Sequence, residues 1–319
     1  MTPANHSNQS QHMSNGLLVI TGPTASGKTR RAVQCAKSFD GEIISADSRQ
    51  IYRGMDLGTG KDLIEYQGVP YHMIDICDAG YKYTLYEYLR DAASARAAIE
   101  SRGKQPILCG GTGLYVESML NGLRLPEVPA NEELRQALSG KTLPELTEIL
   151  GQMKSLHNTT DVDTPKRAIR AIEIQTYYQE HPEEAQTTMP NPERDAVIIG
   201  VEIDRETRRK RISHRLKERM AQGMAEEVEN LLAKGVDAEG LIYYGLEYKF
   251  ITQYVIGQLS REEALKGLET AIHQFAKRQM TWFRGMERRG WHINWLAWDM
   301  PDEEFVQAVS TLMHEQSGT

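Results

Sequence analysis

Leu17 to Thr29 reads LLVITGPTASGKT, a short apolar run that opens into a glycine loop. Its last eight residues, Gly22 to Thr29, satisfy G-x-x-x-x-G-K-[ST] at every fixed position, and Lys28 to Phe39 continues with helical spacing. Strand, loop and helix in that order form the context in which the motif binds phosphate. In the loop of Gly22, Pro23, Thr24, Ala25, Ser26 and Gly27 the glycines let the backbone wrap closely round phosphate oxygens, while successive N–H groups and the helix N-terminus supply partial positive charge. Lys28 adds a full charge, and the Thr29 hydroxyl can meet a Mg2+ ion held against the phosphates. A polyphosphate is the expected ligand. Kinases, NTPases and enzymes that expel diphosphate all need this cradle, so the loop alone leaves the reaction open.

Outward from the loop, Glu42–Ser45, Tyr71–Ile76 and Pro106–Cys109 are predicted as buried strands. Thr84–Arg102 is an alanine-rich helix between a threonine cap and Gly103. Strands alternating with helices imply an α/β fold with a mostly parallel sheet covered on both faces. From Pro126 the pattern is helical, with Leu134–Leu138, Leu143–Met153 and Lys166–Tyr178 separated by no strand, and a turn-rich stretch over 181–195 closes the segment. Ala196–Ile203 is apolar enough to return to the sheet, and the remainder is mainly helix with one strand at His292–Leu296. The expected division is a core of 17–125 and 196–319 with a helical insertion at 126–195. The polar residues 1–16 are expected to form a disordered leader, with Met13 as an alternative start.

The composition is that of an ordinary globular chain, with 40% hydrophobic and 25% charged residues among 319. Its net charge of -7 argues against a uniformly basic, histone-like nucleic-acid binder, though not against a local basic surface. Cys35, Cys77 and Cys109 form no CxxC pair, so a disulfide framework and a zinc finger are not expected. Without a secretory signal or an apolar run of membrane-spanning length, the expected location is the cytoplasm, and no obligate protein partner is evident.

A phosphate loop usually works with an acidic residue closing a later strand, but Pro106–Cys109 runs into Gly110, Gly111 and Thr112. Asp75 and Asp204 are the remaining candidates, although each reads more readily as a strand-end cap. Asp47 is more informative. It follows the strand that ends at Ala46, which puts it at the C-terminal edge of the sheet beside the phosphate loop, where the ligand crevice of an open α/β fold lies. It reads either as a base or metal ligand, or as an Asx turn or helix cap.

GPTASGKT, ADSRQIYRGMDLGTGK from Ala46 to Lys61, GGTGLY from Gly110 to Tyr115, and AKRQMTWFR from Ala276 to Arg284 resemble the tRNA dimethylallyltransferases of the isopentenyltransferase family, in order and spacing. The resemblance covers about Leu17 to Trp295. It implies a P-loop NTPase-like core with a helical insertion, and transfer of a dimethylallyl group from dimethylallyl diphosphate to N6 of adenosine 37, in the anticodon stem-loop of tRNA. It makes Asp47 the general base, with Lys28 and Thr112 beside it, and puts Gly22–Thr29 around the diphosphate with Mg2+ at Thr29. It sets Asp47, Ser48, Arg49, Gln50 and Thr112 against the tRNA, together with Lys166, Arg167 and Arg170, and with Lys277, Arg278, Gln279, Thr281, Trp282 and Arg284. GLEYK at Gly245–Lys249 stands where bacterial members show a Gly-Tyr-Lys or Gly-Tyr-Arg turn. An adenylate isopentenyltransferase acting on free nucleotides, or an ATP-binding P-loop kinase of small molecules, are the competing readings.

Residues 166–170, 204–219 and 273–289 carry net charges of +3, +5 and +4, which leaves -19 on the rest of the chain. Lys277, Thr281, Arg284 and Arg288 recur at helical spacing, with Ile272, Ala276, Phe283 and Met286 on the opposite face, an arrangement that would anchor one side and present cations to phosphates. Arg208, Arg211, Arg215 and Arg219 make a second stripe, readable either as an RNA surface or as a solvated helix face.

Overall fold

The structure is a computed structural model that describes residues 16–156, 160–186 and 191–317. The expected leader, Gly16 apart, lies outside the described residues, as does Met13.

The chain divides into two compact units, one of residues 1–121 and 192–319 and one of residues 122–191. In the first, β1 (Leu18–Thr21) leads through the glycine loop into α1 (Lys28–Ser38) and β2 (Gly41–Ser45). Then come β3 (Tyr52–Arg53), β4 (Tyr71–His72), β5 (Cys77–Asp78), α2 (Leu85–Ser101), β6 (Gln105–Gly110) and α3 (Gly113–Leu120). The second unit contains α4 (Glu132–Leu138), α5 (Leu143–Met153), α6 (Pro165–Glu180) and α7 (Pro182–Gln186). The first unit resumes with β7 (Val197–Glu202), α8 (Arg205–Ala221), α9 (Met224–Ala233), α10 (Ala238–Tyr243), α11 (Leu246–Val255), α12 (Arg261–Arg288), β8 (Asn294–Ala297) and α13 (Asp302–Ser317).

Six strands form one sheet in the order β4-β2-β6-β1-β7-β8, and every pairing is parallel. β1, with all four residues buried, lies between β6 and β7. Strands covered on both faces have no polar side to show, which explains the apolar runs Leu18–Ile20 of β1 and Val197–Val201 of β7. One core packs Leu18, Ile20, Ile107 and Ile199 with Val33 of α1 and Phe305 of α13. A second joins Ile51, Tyr52 and Met55 to Ile212, Leu216, Tyr248, Leu268, Ile272 and Ala276 from the C-terminal helices. Parallel order brings the loops after β1, β2 and β6 out at one edge.

Two expectations need correction. Tyr71–Ile76 is not one strand: only Tyr71–His72 pairs with β2, because Met73 and Asp75 turn to φ of 66° and 55° and carry the chain out of the sheet. Residues 77–78 then pair with β3 in a separate two-stranded ribbon. The stretch over 181–195 also holds a short helix, α7.

The unit of residues 122–191, against the expected 126–195, is helical, and its core is Leu138, Leu146, Leu150, Ala168, Ala171 and Ile172. Thr142 and Glu145 form a capping box at α5, while Thr164 caps α6 with Pro165 in its first turn. Glu173 is buried and accepts the Asn131 N–H at 2.6 Å while pairing with Arg135 and Arg170. Arg170 also donates to the Val128 carbonyl at 2.9 Å, and Arg167 pairs with Asp163, so of the basic triplet Lys166 alone makes no ion pair among the described residues.

Candidate active site

The loops after β1, β2 and β6 meet α8, α11 and α12 around a cavity of about 600 Å³. Thr24, Ala25, Gly27, Lys28 and Thr29 line it, whereas Gly22, Pro23 and Ser26 are buried within the loop. Ala25 and Gly27 take φ of 63° and 86°, the left-handed turns that direct successive loop N–H groups to one side. For Ala25 this conformation costs about 1–2 kcal/mol, strain of the kind retained at a ligand site.

A second wall is the arginine stripe of α8. Arg211, Arg215 and Arg219 line the cavity, a placement that neither reading of 204–219 anticipated: this face closes over the phosphate loop. Arg215 donates to the Thr24 hydroxyl at 2.5 Å, and Arg219 pairs with Asp62 at 3.0 Å. Burial and the neighbouring Arg219 push the Arg215 guanidinium down to about 10. Burial lowers Lys28 as well, against the attraction of Cys109 and Asp47 and with the repulsion of Arg215. Both cations are half-buried where positive charge is crowded, and an anion there would relieve both.

On the opposite side Asp47 follows β2. Its carboxylate accepts the Arg49 N–H at 3.0 Å, so the Asx turn is present, yet the group also lines the cavity. Ser48 donates its N–H to the Thr112 hydroxyl at 3.1 Å, and Gln50 is held by the Ser45 hydroxyl at 3.1 Å and the Gly60 carbonyl at 3.2 Å. The Arg49 guanidinium is paired with Glu247 at 3.1 Å. The Gly110–Gly113 loop completes this wall. A Cβ at Gly110 would strike the Ala46 backbone and one at Gly113 the Trp282 ring, so the motif's glycines reflect close approach.

Helix α12 contributes Arg278, Gln279 and Trp282 to the cavity, while Lys277, Thr281 and Arg284 are exposed outside it. Ile272, Ala276, Phe283 and Met286 are buried as their spacing predicts. Gln279 is only 7% exposed and spends its amide on the Thr24 N–H and the Gly111 carbonyl. The Thr281 hydroxyl donates back to the Lys277 carbonyl at 3.1 Å. Neither alternative acidic partner reaches the cavity: Asp75 pairs with the buried Lys61, and Asp204 caps α8 by accepting the Glu206 and Thr207 N–H groups.

Sequence reading missed that the α8 arginines face inward. Their recurrence every four residues was visible, but a helix period does not say which object the stripe faces. It also missed the clamp on the loop after Asp47, where Glu227 accepts the N–H groups of Asp56, Leu57 and Gly58 at 2.7–3.1 Å and the Tyr248 hydroxyl at 2.6 Å.

The sequence model of the family described as IPP transferase matches residues 50–286, and that of the isopentenyl transferases matches 15–68. A protein named tRNA dimethylallyltransferase 2 from Bacteroides fragilis is 57% identical, over 94% of this chain and 98% of its own. One named tRNA dimethylallyltransferase 1 from Parabacteroides distasonis is 55% identical over the same shares. Among solved structures, the full-length tRNA isopentenylpyrophosphate transferase of Bacillus halodurans superimposes with a TM-score of 0.69 at 30% identity, over 96% of this chain and 99% of that one. A eukaryotic dimethylallyltransferase described as acting on tRNA shares the fold, with a TM-score of 0.78 at 22% identity over 95% and 80% of the two chains.

Proposed function

The chain belongs to the IPP transferase family, and from that premise we propose that it transfers a dimethylallyl group from dimethylallyl diphosphate to N6 of adenosine 37 in tRNA, releasing diphosphate. The observation that carries this reading is one cavity holding both the cation-crowded phosphate cradle of Lys28 and Arg215 and the Asp47 carboxylate. An exocyclic adenine amine is a weak nucleophile because its lone pair is delocalised into the ring. As that pair forms the new C–N bond, Asp47 accepts the N6 proton. The allylic C–O bond breaks with its electrons passing to the diphosphate oxygen, where Lys28, the loop N–H groups and Arg215 stabilise the developing charge.

Thr29 lines the cradle with an oxygen donor, and among the described residues no group of three or more His, Cys, Asp or Glu could hold an ion by itself. That donor set fits Mg2+ carried largely by the substrate's own phosphates; when bound, the ion would neutralise diphosphate charge.

On the acceptor side, Ser48, Gln50 and Thr112 flank the base beside Asp47. A stacked base cannot reach a carboxylate at a sheet edge, so the nucleotide must be flipped out at a cost of about a few kcal/mol. Trp282, 39% exposed at the cavity, gives it a stacking face. Lys277, Arg278 and Arg284 meet RNA phosphates, and Lys166 and Arg167 at the start of α6 make the insertion's contacts. No described helix is long and apolar enough to cross a membrane, and a tRNA substrate sets the enzyme's place in the cytoplasm.

The test is incubation with dimethylallyl diphosphate, Mg2+ and unmodified tRNA carrying A36 to A38, followed by nucleoside analysis. N6-dimethylallyladenosine at position 37 is expected; none above the no-enzyme background would sink the proposal.

A further inference from the structure

Asp47 stands on the first residue of a turn, free to rotate about its side-chain bonds unless something fixes it. Its one hydrogen bond among the described residues comes from the backbone N–H of Arg49 at 3.0 Å. Holding the carboxylate therefore means holding residue 49. Ser48 and Gln50 are tied to neighbouring sheet-edge loops, whereas the Arg49 side chain crosses to the C-terminal helices. There it meets Glu247 of α11 at 3.1 Å and lies over the Phe275 ring of α12, 5.1 Å from the centroid. The seat is fitted, because a Cβ at Gly245 would run into the guanidinium. The pair is sheltered, with the two side chains 23% and 14% exposed.

Resting on the proposed role of Asp47 as base, we infer that Arg49 is a positioning residue: the Arg49–Glu247 pair anchors the turn and thereby fixes the Asp47 carboxylate. The guanidinium is occupied by Glu247 and Phe275, so it is not spent on RNA phosphate. A base displaced by a fraction of an ångström still binds its substrate but accepts the proton poorly. The pair belongs to kcat.

The test is a double-mutant cycle on kcat and on KM for tRNA, using Arg49→Ala, Glu247→Gln and the double variant. Each single change is expected to lower kcat about tenfold with KM for tRNA within about twofold, and the double variant to be no worse than the worse single one. Glu247→Gln keeps size and one hydrogen bond, so it guards against simple misfolding. Hydrogen exchange in the unliganded protein reads the same brace without turnover: the amides of residues 48–50 should exchange about tenfold faster in Glu247→Gln, with those of the phosphate loop unchanged. A wild-type protein that makes no prenyladenosine would overturn the proposed function but still leave the brace measured by exchange. A raised KM for tRNA with unchanged kcat would make Arg49 an RNA contact and overturn the inference. So would additive losses of kcat, or unaltered exchange at residues 48–50.

Discussion

Gln279 reaches Thr24 across 255 positions of sequence, its Oε1 accepting the Thr24 N–H at 2.8 Å. Its Nε2 donates to the Gly111 carbonyl at 2.9 Å, so one buried amide holds the phosphate loop and the Gly110–Gly113 loop at a set spacing. Gly111 permits this approach, since a Cβ there would collide with that same Nε2. Gln279→Leu removes both bonds and leaves two sheltered backbone groups unpaired, at about 1–3 kcal/mol each. The expected result is a lower melting temperature and a KM for dimethylallyl diphosphate raised about tenfold, with KM for tRNA little changed. Steady-state kinetics with each substrate varied in turn would expose a tRNA role instead, if the larger change fell on tRNA.

Asp47→Asn keeps a side-chain oxygen for the Arg49 N–H but cannot accept a proton at neutral pH. General-base catalysis contributes about 10²- to 10⁴-fold, and kcat should fall within that range while tRNA affinity, read by filter binding, holds within a few fold. Retention of more than about a tenth of the wild-type kcat would leave Asp47 with its Asx turn alone.

The two basic helices make opposite contributions. Arg215 is half-buried at the cavity on Thr24, whereas Lys277 and Arg284 are exposed and make no ion pair among the described residues. Arg215→Met should weaken binding of inorganic diphosphate and leave the salt dependence of tRNA binding unchanged. Lys277→Ala with Arg284→Ala should weaken tRNA binding and flatten its dependence on log salt by about 1 per cation removed. Equal salt slopes in all variants would remove α12 from the RNA surface.

These two helices also mark the limit of what the chain discloses before folding. The strand, loop and helix from Leu18 to Ser38 are local, and pattern alone finds them to within a residue. Asp47 is legible because a parallel sheet sends consecutive strand ends to one edge. The inward turn of Arg211, Arg215 and Arg219 is set by where α8 packs, a tertiary fact absent from its periodicity. Gln279 lay inside a recognised motif, yet its two backbone partners are 168 and 255 positions away. Tyr71–Ile76 was misread for a different reason: positive φ at Met73 and Asp75 is invisible to a hydrophobic count.

Glu42 supplies a test of stability away from the cavity. It lies on β2, 7% exposed, with Arg102 donating to both its oxygens at 3.0 and 2.7 Å and His72 at 2.7 Å. The Arg102 hydrogen bonds, helped by His72 and opposed by burial, hold its carboxyl below the usual carboxylate range. A carboxylate whose pKa is lower in the folded state binds its proton more readily when unfolded, so its contribution is full above about pH 4.3, the unfolded value, and fades as pH falls through the folded value. Glu42→Gln cannot titrate and keeps the shape. Urea midpoints should therefore show the variant less stable than wild type at pH 7, with the gap narrowing from about pH 4 downward. A gap that stayed constant between pH 7 and pH 3 would mean the two partners bind Glu42 no more strongly as a carboxylate than as an acid.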